Sequence, residues 1–246
     1  MAVTAKAKLI RFTENPEGTI ALASKLCYSS LGMDELIERI EGSDNAKFIR
    51  MLKTMNHLSP FEHASFTFSV EGVSRAFLAQ VTRHRIASFS VRSQRYVGEG
   101  NFEYVIPPAI SDLGDAAIDE FKRQMETISE WYLQWQTRLG GGEKANEDAR
   151  FVLPNACETK MVLSMNAREL MHFFELRCCN RAQWEIRDVA WQMLTQALEV
   201  APDVFDGCGP ACLRGACPEG KKSCGKAAEV KERYNRLIGC LKGDRT

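Results

Sequence analysis

The sequence predicts a mixed α+β fold in which a central, mostly antiparallel sheet is flanked by long helices. Short segments alternate polar and apolar residues with the period of a β-strand. Longer segments repeat apolar residues every three or four positions, as amphipathic helices do. Because the two kinds of segment interleave and no internal repeat is visible, the chain predicts a mixed α+β domain.

Local patterns place the elements in order along the chain. Residues 8–12 and 65–70 alternate like half-buried strands, and a turn at 15–18 ends the first of them. Three glycines at 140–142 end the longest helical pattern. The prediction places strands at 8–12, 65–70 and 159–165 and helices at about 18–30, 45–56, 75–81, 113–138, 167–177 and 183–200.

Composition limits the classes of function. The 246 residues include 32 basic and 32 acidic side chains, so the zero net charge argues against the long-range field of a duplex-DNA binder. We expect neither a membrane partner nor a signal peptide, because no segment has the required apolar run. Nine cysteines, an odd number, favour reduced thiols and a cytoplasmic location.

One segment concentrates arginine. Between residues 72 and 98 the charged side chains are five arginines, with no Asp, Glu or Lys among them. Arginine binds phosphate or an imide edge through two parallel hydrogen bonds. Because these cations would repel one another without a negative group between them, the segment predicts an anionic ligand. The alternative is a solvated basic turn or an oligomer contact.

Two further blocks contain the remaining histidines. Residues 57–63 hold Ser59, Pro60 and Glu62 in the pattern of a capping box that opens a short helix. On the predicted helix 167–177, Arg168 and His172 are four residues apart and share a face. This helix could also be an ordinary amphipathic one whose arginines pair with nearby acids. No two-histidine metal spacing is present, so we expect no catalytic metal.

These blocks together carry a family resemblance. Arg83-His84-Arg85, then seven residues, then Ser93-Gln94-Arg95 resembles the signature of the flavin-dependent thymidylate synthases. Similar blocks at 57–63, 150–154 and 166–177 extend the resemblance from about residue 20 to about 205. We therefore expect a domain of this type at 1–205, followed by a Cys-rich tail at 206–246.

The resemblance implies a reaction and its participants. It implies reductive methylation of dUMP to dTMP, with methylenetetrahydrofolate as carbon donor, FAD as cofactor and NADPH as reductant. It also implies a homotetramer with shared active sites, and no nucleic-acid partner. The flavin-binding roles fall by resemblance on Ser59, Arg83, His84, Arg85, Asn166, Arg168 and His172. The substrate-binding roles fall on Gln80, Arg83, Arg92, Ser93, Gln94, Arg95, Arg150 and Arg177.

Residue chemistry refines these roles. Ser93 has no carboxylate within ten residues except Glu99 and Glu103, so it lacks an evident base and is assigned to hydrogen bonding. Arg177 is the predicted catalytic residue, because a guanidinium at the uracil imide stabilises negative charge there. We expect His84, between two arginines, to be neutral. No cysteine lies in these motifs, so no cysteine nucleophile is expected.

Two other functions stay open. A nucleic-acid-binding module would use the arginines on phosphates and aromatic residues on bases. A non-catalytic flavoprotein is also possible, because Val91 stands where many relatives carry Glu or Gln.

Four tail cysteines are the last candidate site. Cys208, Cys212, Cys217 and Cys224 fall in a Gly- and Pro-rich stretch without a pattern of regular structure. Four thiolates complete a tetrahedral metal site, although these gaps are looser than paired Cys-x-x-Cys motifs. Free thiols or a labile disulfide are the alternatives.

Overall fold

The computed structural model describes residues 1–243 and contains one four-stranded sheet among many helices. The sheet order is β1-β2-β4-β3. The strands are β1 Lys6–Phe12, β2 Ser65–Ser74, β3 Ala87–Val91 and β4 Glu158–Asn166. The helices are α1 Pro16–Lys25, α2 Met33–Glu41, α3 Ala46–Thr54, α4 Arg75–Val81, α5 Pro108–Ser111, α6 Asp115–Arg138, α7 Gly142–Ala149, α8 Ala167–Arg177, α9 Trp184–Val200, α10 Pro202–Phe205 and α11 Ala227–Gly243.

The predicted α+β class is confirmed, with an antiparallel sheet and long helices. Helices α4 and α8 have the predicted bounds, and α6 and α9 differ from prediction by one or two residues at their starts. The predicted helix at 18–30 is shorter, since α1 ends at Lys25 and a 3-10 turn follows. The triple glycine ends α6 as predicted, because Gly140, Gly141 and Gly142 all have positive φ.

The capping-box prediction at Ser59 is wrong. Residues Ser59–His63 form a 3-10 turn whose N-cap is Leu58, without a capping hydrogen bond from a side chain. Proline at the second position favours the start of a helical turn but does not require an α-helix. The prediction also missed β3, α2, α5, α7, α10 and α11.

The chain divides into two compact units, and the first comprises residues 1–6, 69–83 and 89–162. Its apolar core includes Phe102, Tyr104, Met125 and Cys157. Gly72 has φ of 67°, and a Cβ there would lie 2.1 Å from the carbonyl oxygen of Thr4. Only glycine lets the two backbone segments approach this closely.

Of the described residues, the second unit comprises 7–68, 84–88 and 163–243. Phe66, Phe174 and Phe205 pack edge to face in its core, with ring centroids 5.1 and 5.8 Å apart. Gln192 and Gln196 of α9 accept hydrogen bonds from the backbone N–H groups of Ala7 and Leu9 on the edge strand β1. These bonds satisfy donors that an edge strand otherwise exposes.

Within residues 1–243, no helix is long and apolar enough to cross a membrane.

Candidate active site

In the first unit, Arg92 is bound to internal carboxylates. Its guanidinium lies 3.5 Å from Glu99 and 3.6 Å from Glu158, and both carboxylates are buried. Burial raises the pKa of Glu99, while the charges of Arg92 and Arg75 lower it. The Arg75 guanidinium also donates to the backbone oxygen of Arg92 at 3.1 Å. The expectation that this segment lacks acidic partners is therefore wrong for Arg92.

Arg95 also has acidic partners, which α7 supplies. Its Nη2 lies 2.6 Å from Glu143 Oε1 and its Nε lies 3.0 Å from Glu147 Oε2. Arg150, at the end of the same helix, donates from Nε to the backbone oxygen of Glu147 at 3.0 Å. The partners are about fifty residues away in sequence, which local charge patterning cannot detect.

Ser93 occupies a turn, and Gln94 contacts a cysteine. The Ser93 hydroxyl accepts from the backbone N–H groups of Arg95 at 3.2 Å and Tyr96 at 3.4 Å. Gln94 Nε2 donates to the sulfur of buried Cys157 at 3.5 Å. Burial is the main reason that the pKa of Cys157 rises to about 12. At neutral pH this cysteine is therefore a thiol and not a thiolate.

The end of α4 carries the remaining predicted residues of the first unit. Gln80 is half-buried in the last turn of the helix, and Arg83 follows the helix and is exposed. Among the residues that the structure describes, no carboxylate forms an ion pair with Arg83. Arg83 is thus a solvated cation immediately before His84.

In the second unit, Glu169, His84 and Arg177 form a hydrogen-bonded row. His84 Nδ1 lies 2.8 Å from Glu169 Oε1, and both side chains are buried. Arg177 Nε donates to His84 Nε2 at 3.0 Å. Because a guanidinium can only donate, Nε2 accepts, and the single ring proton lies on Nδ1 facing Glu169. The row fixes both the tautomer of His84 and the position of Arg177.

The electrostatics of the row agree with a neutral ring. Burial is the main cause that lowers the pKa of His84, and the charge of Arg177 lowers it further. The hydrogen bond to Glu169 opposes this shift. The predicted direction is thus confirmed, although the chief cause is desolvation and not like charge.

A cavity of about 560 Å³ opens beside this row in the second unit. Asn166, Arg168 and His172 line it, together with Glu62 and Ile86. Asn166 is the N-cap of α8, where its side chain accepts from the Glu169 N–H at 2.9 Å. Arg168 forms an exposed ion pair with Glu62.

The other predicted flavin-binding residues of this unit are placed differently. Ser59 and Arg85 are exposed and do not line the cavity. His84 is buried behind it, with both ring nitrogens bonded to protein groups. The cavity volume falls within the range of about 300–1,000 Å³ that small-molecule sites occupy.

Glu169 is the residue that sequence reasoning missed. The sequence alone assigns no role to Glu169, whereas the structure shows that it orients His84. The sequence does place it at the third position of the helix that carries Arg177, after the capping Asn166. A carboxylate that is 8% exposed requires a donor, and a histidine elsewhere in the motifs is an obvious one.

Comparisons with known proteins add the identity of the family. Residues 8–203 match the family model described as thymidylate synthase complementing protein. The flavin-dependent thymidylate synthase of Clostridium tetani is 48% identical over 241 residues, covering 93% of this chain and 96% of that protein. The chain belongs to the flavin-dependent thymidylate synthase family. It is therefore an enzyme of this type with a flavin cofactor, and the resemblance inferred from the motifs is confirmed.

One further relative and one solved structure extend this result. The flavin-dependent thymidylate synthase of Geobacter sulfurreducens is 49% identical over 235 residues, covering 94% of this chain and 99% of that protein. A crystal structure of a UMP/dUMP methylase PolB from Streptomyces cacaoi, bound with 5-Br dUMP, superposes with a TM-score of 0.71 at 25% identity. It covers 83% of this chain and 94% of that one.

Proposed function

We propose that this enzyme converts dUMP to dTMP by reductive methylation. Methylenetetrahydrofolate donates the carbon, which joins C5 of the uracil ring while the C5 proton leaves and tetrahydrofolate is released. Reduced FAD, when bound, would supply the hydride, and NADPH would be the source of its electrons. Family membership and the dUMP-analogue-bound methylase support this reaction.

The observation that carries the proposal is the fixed Arg177 guanidinium. His84 holds it from one side through a hydrogen bond of 3.0 Å. Glu169 holds His84 in turn through a bond of 2.8 Å. Burial lowers the pKa of Arg177, but an arginine guanidinium stays protonated in proteins, so the group is cationic at neutral pH. A positioned cation at the uracil imide would stabilise negative charge on N3 and O4, which is the catalytic role we assign to Arg177.

The flavin site that we propose uses residues whose chemistry suits an anionic dinucleotide. Asn166, Arg168 and His172 line the cavity of the second unit, and Arg85 adds an exposed cation. The ion pair of Arg168 with Glu62 is exposed, so exchanging it for a phosphate oxygen costs little. Ser59 and Arg83 complete the set, and His84 contributes by positioning.

The nucleotide-binding residues that we propose lie in the first unit. They are Gln80, Arg83, Ser93, Gln94, Arg95 and Arg150, and Arg92 would orient its neighbours through its ion pairs with Glu99 and Glu158. The Ser93 hydroxyl accepts two backbone hydrogen bonds, which supports a binding role. A nucleophilic serine instead needs an adjacent base.

No cysteine nucleophile is included in the proposal. Cys157 is the cysteine that hydrogen bonds to a proposed substrate residue within the described chain. Because its pKa is about 12, the reactive thiolate is scarce at neutral pH. Activation of the uracil is therefore assigned to Arg177.

The test is tritium release from dUMP labelled at C5, measured on Arg177→Ala, Arg177→Lys and the unaltered enzyme. Loss of one positioned charge reduces the rate by about 100-fold or more, so we expect Arg177→Ala to lose activity while retaining its visible flavin absorbance. Arg177→Lys keeps the charge but loses the bond from Nε, and an intermediate rate is expected.

The matched control is Arg236→Ala, which removes an exposed arginine on α11 in the same unit. It should retain full activity. Near-normal tritium release from Arg177→Ala would remove Arg177 from the mechanism, and absence of flavin from every preparation would oppose the whole proposal. We further propose a homotetramer with shared active sites, and light scattering on the purified enzyme tests the number of subunits.

A further inference from the structure

Four cysteines line one cavity of the second unit. Cys179, which follows α8, lies around it with Cys212, Cys217 and Cys224 of the tail. The cavity has a volume of about 340 Å³. The thiols range from buried Cys212 to exposed Cys224, and none forms a disulfide.

The four thiols around this cavity come from separate parts of the chain. Three of these residues come from the tail, but Cys179 is far from them in sequence. The fold therefore gathers a group of four thiols that the spacing of the cysteines does not reveal.

Cys208 does not belong to this group, although the sequence grouped it with the tail cysteines. It is 3% exposed, and its thiol donates to the backbone oxygen of Val204. It lines the cavity that contains Asn166, Arg168 and His172. The candidate ligand set is therefore Cys179, Cys212, Cys217 and Cys224, in which Cys179 takes the place of Cys208.

The arrangement does not resemble a site for one metal ion. Within residues 1–243, no three His, Cys, Asp or Glu side chains are grouped as ligands of a single ion. A tetrahedral zinc ion with Zn–S bonds of about 2.3 Å brings its sulfurs to about 3.8 Å from one another. An iron–sulfur cluster places several irons and sulfides between its four thiolates, so its ligands stand further apart around a larger space.

We propose that Cys179, Cys212, Cys217 and Cys224 bind an iron–sulfur cluster. The proposal does not rest on the reaction proposed above, although Arg177 lines the same cavity as the four thiols.

The charge of the surrounding segment suits such a centre. Four thiolates give the cluster a net negative charge, and residues 208–226 contain four basic side chains and one acidic one. Arg181 donates to Glu219 at 2.6 Å and to the backbone oxygen of Lys222 at 2.9 Å. These bonds hold the tail turn against the segment that carries Cys179.

The cluster also explains how the tail segment keeps its shape. Between α10 and α11 its helical structure is limited to short 3-10 turns at Ala211–Leu213 and Gly220–Lys222. Such segments order few backbone groups on their own, and a metal centre supplies the missing stabilisation.

The test uses the full-length protein, purified without oxygen and reconstituted with ferrous iron and sulfide. Iron, acid-labile sulfide and zinc are measured per chain, and Mössbauer spectra distinguish a cluster from the overlapping flavin absorbance. We expect about four irons and four sulfides per chain. Less than about one iron per chain after reconstitution would overturn the proposal, as would one zinc without iron.

Serine variants identify the ligands. Cys179→Ser and Cys224→Ser should each lose the iron, whereas the controls Cys208→Ser and Cys240→Ser should keep it. Cys224 is exposed, so its variant stays informative if Cys179→Ser does not fold. Flavin content and circular dichroism check the fold of each variant. Full iron content in Cys179→Ser and Cys224→Ser would refute this ligand set.

Discussion

Replacing Glu169 by alanine tests whether the buried row controls Arg177. Glu169 accepts the Nδ1 proton of His84, and this leaves Nε2 as the acceptor for Arg177. Without the carboxylate, the proton can move to Nε2, where it would face the N–H of Arg177. Two donors would then oppose each other, and the guanidinium would leave its position.

The magnitude follows from the burial of the bond. Hydrogen bonds to charged groups contribute about 1.5–3 kcal/mol, which corresponds to a factor of about 10 to 150. Glu169 and His84 are 8% and 5% exposed, so water replaces the lost bond poorly. We therefore expect kcat for dTMP formation to fall by about 10- to 100-fold in Glu169→Ala, with flavin still bound.

The assay compares Glu169→Ala with Glu169→Gln and Glu232→Ala. The glutamine keeps an oxygen that accepts from Nδ1, so its activity should return to within several-fold of the unaltered enzyme. Glu232 lies on α11 in the same unit and pairs with Arg236 at the surface, so its loss should change kcat little. A kcat within twofold of the unaltered enzyme in flavin-loaded Glu169→Ala would refute the reasoning, and equal losses in the alanine and glutamine variants would do the same.

Three further predictions follow from single groups. Burial lowers the pKa of His84 in the folded protein, so the unfolded chain binds this proton first as the pH falls below about 6.5. The unfolding temperature should therefore drop below that pH, and it should drop less in His84→Asn. Equal pH dependence of the unfolding temperature in the two proteins, measured by calorimetry, would contradict this. Ser93→Ala should weaken dUMP binding in a titration yet retain turnover, whereas complete loss of turnover with intact binding would support a nucleophile. Cys157→Ala should keep tritium release within about threefold, since it loses only the weak bonds of its sulfur to Gln94 and to the backbone oxygen of Glu158.

The sequence predicted those parts of the fold that local patterns determine. Helix α8 was located to the residue because Asn166 caps it and its apolar spacing is regular. Strand β3 was not predicted, because five residues within the arginine motif give too short an alternation to indicate a strand. Helix α11 was not predicted, because it buries only Val230 and Tyr234 and so has a weak apolar pattern.

The candidate site was predictable in composition but not in pairing. Family motifs selected the arginines and histidines, yet the partner of His84 is 85 residues away and that of Arg177 is 93 residues away. Contacts at such separations depend on packing, which charge and spacing along the chain do not encode. The same limit applies to Cys179, whose proximity to the tail cysteines depends on where the segment after α8 lies.

The arginines of the first unit differ in what an anionic ligand can displace. Arg95 and its partners Glu143 and Glu147 are all nearly half exposed, and such ion pairs contribute about 0–1 kcal/mol. The carboxylates that pair with Arg92 are only 2% and 4% exposed, and separating a buried pair costs about 3–5 kcal/mol. A phosphate can therefore replace the glutamates on Arg95 but not those on Arg92. The sequence predicts an anionic ligand for this arginine segment. The prediction applies to Arg95, because its acidic partners are weakly held. It applies to Arg83 as well, because no carboxylate of the described chain pairs with it.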